Sequence, residues 1–166
     1  MSLSVIERIA RELVDRLDDV TAANGYASVI TEVVRPRAAG GYTPADGLCV
    51  VHQLDPEGVP ELSPAGNPPA TAWRQPFNIS VYIMPADSDE TEIESLINAF
   101  AADVVAAVCT PIATWHNFAD DTSTTAINAE WGAQTTMHDE QGVANGFTLP
   151  LYVTYRTDEN NLTVVR

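Results

Sequence analysis

Three histidines, two cysteines and several close-set carboxylates are the residues of this 166-residue chain that could do chemistry. A histidine paired with Ser80, Ser95 or Ser123 and an aspartate could activate a serine nucleophile. His52, His116 and His138 lie far apart in sequence, however, and no G-x-S-x-G or comparable nucleophile turn is present. His52 reads as an ordinary strand residue, and "TWHNF" at 114–118 as Trp115 and Phe118 packing at the domain edge. Cys49 and Cys109 have no cysteine or histidine at short spacing, which excludes a disulfide framework or a structural zinc site as organising features. They read as two buried thiols. "DSDE" at 87–90 and "DD" at 120–121 offer carboxylates for calcium, but neither runs into a twelve-residue loop with a central glycine and a terminal glutamate. The first reads as a helix N-terminus, where carboxylates satisfy free N–H groups and complement the helix dipole. "AAGG" at 38–41 lacks the G-K-[ST] ending and the following helix of a phosphate loop. The expectation is a protein without catalytic residues, cofactor or metal, and not an enzyme.

The elements that would position any binding surface are legible from periodicity. Ser4 and Glu7 have capping-box spacing, and Ile6, Ile9, Ala10, Leu13, Val14, Leu17 and Val20 follow at helical intervals. Asn24-Gly25 allows the chain to reverse after this helix. Residues 27–35 read as a strand closed by Pro36, and "LCVVHQL" at 48–54 as a second. Residues 55–76 hold six prolines and read as a long loop, a candidate interaction element. "FNISVYIM" at 77–84 alternates as a strand with one apolar face. A second helix follows, capped at Ser88 or Asp89, running through Ile93, Leu96, Ile97, Phe100, Val104 and Val108, and ending by Pro111. "TTAINAEWG" around 124–132 is a weaker strand candidate, 133–146 a polar loop, and "FTLPLYVTYRT" the last strand, with Leu149, Leu151, Val153 and Tyr155 on one side and Thr148, Tyr152 and Thr154 on the other. The order α-β-β-β-α-β-β predicts one α+β domain over 1–166: a mainly antiparallel mixed sheet of about five strands with two helices packed on one face.

Composition limits the partners. The length fits one domain that buries roughly 70% of its unfolded surface, and no run approaches the about 18 apolar residues of a membrane span. The charged N-terminal helix lacks the continuous apolar stretch of a secretory signal, so synthesis in the cytoplasm is expected. With 23 acidic residues against 8 basic ones, all arginine, the net charge is −15. Attraction of nucleic acid is disfavoured, whereas repulsion of a polyanion fits.

The opening helix with "DDVTAANGY", the strand ending "EVVRP", "FNISVYI", "IESLINAFAADVVAAV" and the closing "LPLYVTYRTDENN" together resemble tail terminator (tail completion) proteins of long-tailed bacteriophages. The similarity covers nearly the whole chain in element order, and its most specific parts are the "ANGY" junction and the terminal "YRT". The resemblance implies a structural virion protein of the tail or neck: a homohexameric ring on the head-proximal end of the tail tube that meets the head-tail connector protein. DNA would be only a cargo passing through the ring. Six copies of a −15 subunit would carry −90, and a conduit that repels phosphate does not trap what it passes. No membrane is involved, and the family brings no active-site motif to carry over. The candidate contact residues are Trp73 and Arg74 at the end of the proline-rich loop, an aromatic–arginine pairing enriched at interfaces, with Asp139 and Glu140 in the 133–146 loop. The 55–76 loop departs from a closely matching family pattern in its length. Two other classes remain open: a neck or head-tail connector (adaptor or stopper) protein of similar ring habit, and a non-phage α+β ligand-binding domain.

Overall fold

The computed structural model describes residues 4–36, 41–62, 70–84, 90–108, 128–138, 145–158 and 161–165. The expected cap at Ser88 or Asp89, the helix stop at Pro111, Cys109, His116 and the 120–121 aspartates lie outside the described residues.

Helix α1 (Val5–Asp18) begins where Ser4 accepts the Glu7 amide at 3.2 Å. Half of the capping box is thereby formed. The Glu7 carboxylate does not turn back to complete it but reaches Arg11 Nε at 2.9 Å and the Arg35 guanidinium at 3.2 and 3.3 Å. Arg35 also donates to the Gln53 side chain. One carboxylate thus ties the start of the helix to the sheet edge. Val5, Ile9, Ala10, Leu13 and Leu17 form the buried side of α1. A 3-10 turn at Ala22–Asn24 ends on Gly25, whose φ of 89° makes the expected reversal.

Among the described residues eight strands follow: β1 (Glu32–Val34), β2 (Leu48–Gln53), β3 (Glu57–Gly58), β4 (Ala70–Ile83), β5 (Asn128–Trp131), β6 (Thr135–His138), β7 (Asn145–Asp158) and β8 (Asn161–Val165), with α2 (Glu90–Val108) between β4 and β5. They form one sheet in the order β1-β2-β4-β7-β5, with β3 beside β4, and β6 and β8 beside β7. The β1–β2 pairing is parallel and each of the others is antiparallel. The 14-residue strands β4 and β7 pair along their whole length and make the spine. On one face of this spine Phe77, Ile79, Val81 and Ile83 meet Phe147, Leu149, Leu151, Val153 and Tyr155. Cys49 and Val51 join them from β2, and Ile9, Leu13 and Leu17 of α1 and Ile97, Phe100 and Val104 of α2 complete the same core. Each such buried side chain contributes about 1.5–3 kcal/mol. The fold is therefore α+β with a mostly antiparallel sheet and both helices on one face. No helix among the described residues is long and apolar enough to cross a membrane.

The strand count exceeds the expected five for identifiable reasons. The 55–76 segment is not one loop: β3, a 3-10 turn at Pro60–Leu62 and the first half of β4 fall within it. Pro76 sits inside β4 because its missing N–H points away from β7. Its carbonyl accepts from Leu54 N at 3.1 Å, just where β2 gives way to β3. The buried Gln75 then replaces the absent donor, its amide nitrogen lying 2.5 Å from the Leu54 carbonyl oxygen. Pro150 is placed likewise in β7. Its carbonyl accepts from Gly132 N at 2.8 Å, and there the flanking chain leaves β5, gains one residue in register and resumes as β6. β6 therefore occupies part of the expected polar loop. Conversely, β1 is shorter than the expected 27–35 strand. Ser28 N bonds to the Asp103 carboxylate at 2.8 Å and Ile30 N to Val20 O at 2.9 Å, so these earlier amides serve α2 and the chain just after α1 rather than the sheet.

Candidate interface on the open face of the sheet

Side chains alternate across a strand, so the residues between the core positions project from the face that neither helix covers. This face carries Arg74, Asn78, Ser80 and Tyr82 of β4, Thr148, Tyr152 and Thr154 of β7, His52 of β2 and Glu130 of β5. At one end, Tyr42 and Tyr82 share a hydrogen bond between their hydroxyls at 3.0 Å, and the Tyr42 ring also meets His52 at 6.0 Å between centroids. Burial, and then the bond to Tyr42, pushes the Tyr82 phenol up to about 12. In the middle, Ser80 and Thr148 pair their hydroxyls at 2.9 Å. The serine imagined as a nucleophile is thus engaged by a threonine, not by a histidine.

At the other end Arg74 pairs with Glu130 at 2.5 Å, and its guanidinium carbon lies 4.8 Å from the centre of the Tyr152 ring. Asn128 donates to the second Glu130 oxygen at 2.8 Å and orients it. Arg74 and Glu130 are 38% and 51% exposed, so the ion pair contributes about 0–1 kcal/mol and the cation–ring contact about 0.5–1 kcal/mol. The energetic contribution is small, but the group is pre-ordered: a planar cation, an acceptor and an aromatic ring held at the surface, the composition of a protein-contact surface.

The four candidate contact residues separate. Arg74 lies on the open face. Trp73 lies on the opposite, helix-covered side, half-buried against the core, with Nε1 donating to Thr157 Oγ1 at 3.2 Å. Asp139 and Glu140 lie outside the described residues. Sequence reasoning placed Thr148, Tyr152 and Thr154 together on one side of the last strand, and they are on this face. It missed Glu130 and Gln75, because pairing across 56 residues and replacement of a proline donor leave no local pattern. Cys49 is buried, and that burial raises its thiol far above the ordinary range. Among the described residues no group of three or more His, Cys, Asp or Glu could hold a metal ion. No protein-family model matches the chain, and no curated protein matches it.

Proposed function

We propose that the chain is a structural virion subunit that assembles as a homohexameric ring on the head-proximal end of a phage tail tube and joins it to the head-tail connector protein. The observation that carries this reading is the two-sided body. One sheet face is filled by the subunit's own helices, while the other presents Arg74, Glu130 and Tyr152 as an ordered surface. Such a subunit has a rigid back and a contact front, which suits packing between neighbours in a ring. The resemblance in element order and the net charge of −15 agree with a conduit that lets DNA through as cargo.

The test is assembly with tail-tube protein. Adding the purified chain to growing tubes should halt elongation and leave a ring at one tube end in negative-stain images. Bare tubes of unchanged length would overturn the proposal. Attachment to filled heads without attachment to tubes would identify the neck connector instead.

A further inference from the structure

We infer that the ring closes head to tail through Leu62 and Arg156 of one copy against Glu92 and Leu96 of the next. This contact deepens the ring reading above and rests on it.

The first half of the contact lies at the end of the β4–β7 spine. Arg156 stands opposite Ala72 in the ladder, two residues along from Thr154 and so on the open face with Arg74. The turn at Pro60–Leu62 is tied down beside it by Val59 N to Ala72 O at 2.9 Å and by Arg156 Nε to Leu62 O at 3.1 Å. Leu62 is left 44% exposed. Arg11, Arg16, Arg35 and Arg74 each engage a carboxylate of their own chain, and Arg8 is buried in α1. Among the described residues, Arg156 donates through Nε to a backbone carbonyl, which leaves its terminal nitrogens for an outside acceptor.

The second half lies on α2. Leu96 is 41% exposed, and Glu92, one turn earlier on the same side of the helix, is exposed beside it. Leu62 and Leu96 are two of the four large apolar side chains exposed among the described residues. One stands beside a cation and the other beside an anion. In a chain of net charge −15, two copies repel unless the contact is built around a cation not spent internally. Glu61, next to Leu62, is exposed on the same turn, so an acid approaching from its side would be repelled. The two patches belong to different elements, so the contact is heterologous, the type that propagates from copy to copy and closes as a ring.

The test uses the full chain with Arg156→Glu and Glu92→Arg, each read by sedimentation with circular dichroism as the folding control. Either reversal alone sets like charges against each other in every contact and should weaken self-association about tenfold or more. Mixing the two variants makes every contact complementary again in an alternating assembly, and should restore even-numbered rings. In a Cys109→Ser background, a short bis-maleimide should join Leu62→Cys chains to Leu96→Cys chains, a readout that needs no charge reversal. Wild-type rings that neither reversal weakens, or no cross-link between the cysteine variants, would overturn the contact and leave the ring reading standing. Open filaments rescued by mixing would keep the contact and overturn the ring. A wild-type chain that stays monomeric in solution and on tube ends would overturn both.

Discussion

Trp73 and Arg74 are adjacent in sequence and stand on opposite faces of the sheet, one bonded to Thr157 over the core and the other to Glu130 at the surface. Substitution should separate their roles. Trp73→Ala is expected to lower unfolding stability by about 2 kcal/mol or more, the range for a partly buried large side chain. Arg74→Ala should cost less, about 0.5–2 kcal/mol for the ion pair and the cation–ring contact together. Urea denaturation of both variants checks this, and equal losses would show that the two faces are not energetically distinct.

Leu13 is fully buried where α1 meets the sheet. Leu13→Ala should destabilise the chain by about 2–5 kcal/mol. An unchanged melting temperature would remove α1 from the core.

Gln75 and Pro76 should behave as a coupled pair. Gln75→Met leaves the Leu54 carbonyl without its donor, at a cost of about 1–3 kcal/mol. Pro76→Val restores a backbone N–H at the same ladder position, so the double variant should recover part of that loss. A double-mutant cycle measures the coupling. Additive effects would show that the amide does not replace the proline donor.

The Arg35 guanidinium, followed by Arg11, holds the Glu7 carboxyl below its ordinary 4.5, against the opposing effect of partial burial. A depressed carboxyl stabilises the fold above its unfolded-state value and loses that contribution as pH falls through the folded value. Wild-type stability should therefore decline below about pH 4.5, and Glu7→Gln should lack this part of the acid limb. Asp18 is shifted the other way, raised first by burial and then by Asp15 and Asp19, so Asp18→Asn should stabilise the chain at neutral pH. Thermal melts from about pH 3 to about pH 7 read both effects.

The parts of the fold legible in sequence are those where burial repeats locally. Phe77, Ile79, Val81 and Ile83 alternate because every second residue faces the helices, and Ile9, Leu13 and Leu17 recur because one side of α1 does. β6 was hidden because Thr135 and Thr136 lie exposed and carry no apolar alternation. Residues 70–76 were hidden by Pro76, whose tolerance depends on a gap between β2 and β3 that only the tertiary arrangement creates. The candidate site was half legible for the same reason. Tyr152 and Thr154 announce a polar strand face, whereas the partners that organise it come from β4 and β5, at long separations along the chain.

The two prolines also give the body a mechanical direction. On one flank of the spine the ladder is interrupted between Leu54 and Glu57, and on the other between Gly132 and Thr135. These interruptions lie a few residues apart along the strands, so they mark an oblique crease across the sheet rather than a straight cut. Along that line β4 and β7 hold to each other with the least help from their neighbours. Under twisting load strain should therefore collect along that line first, resisted by the single core that spans both sides of it.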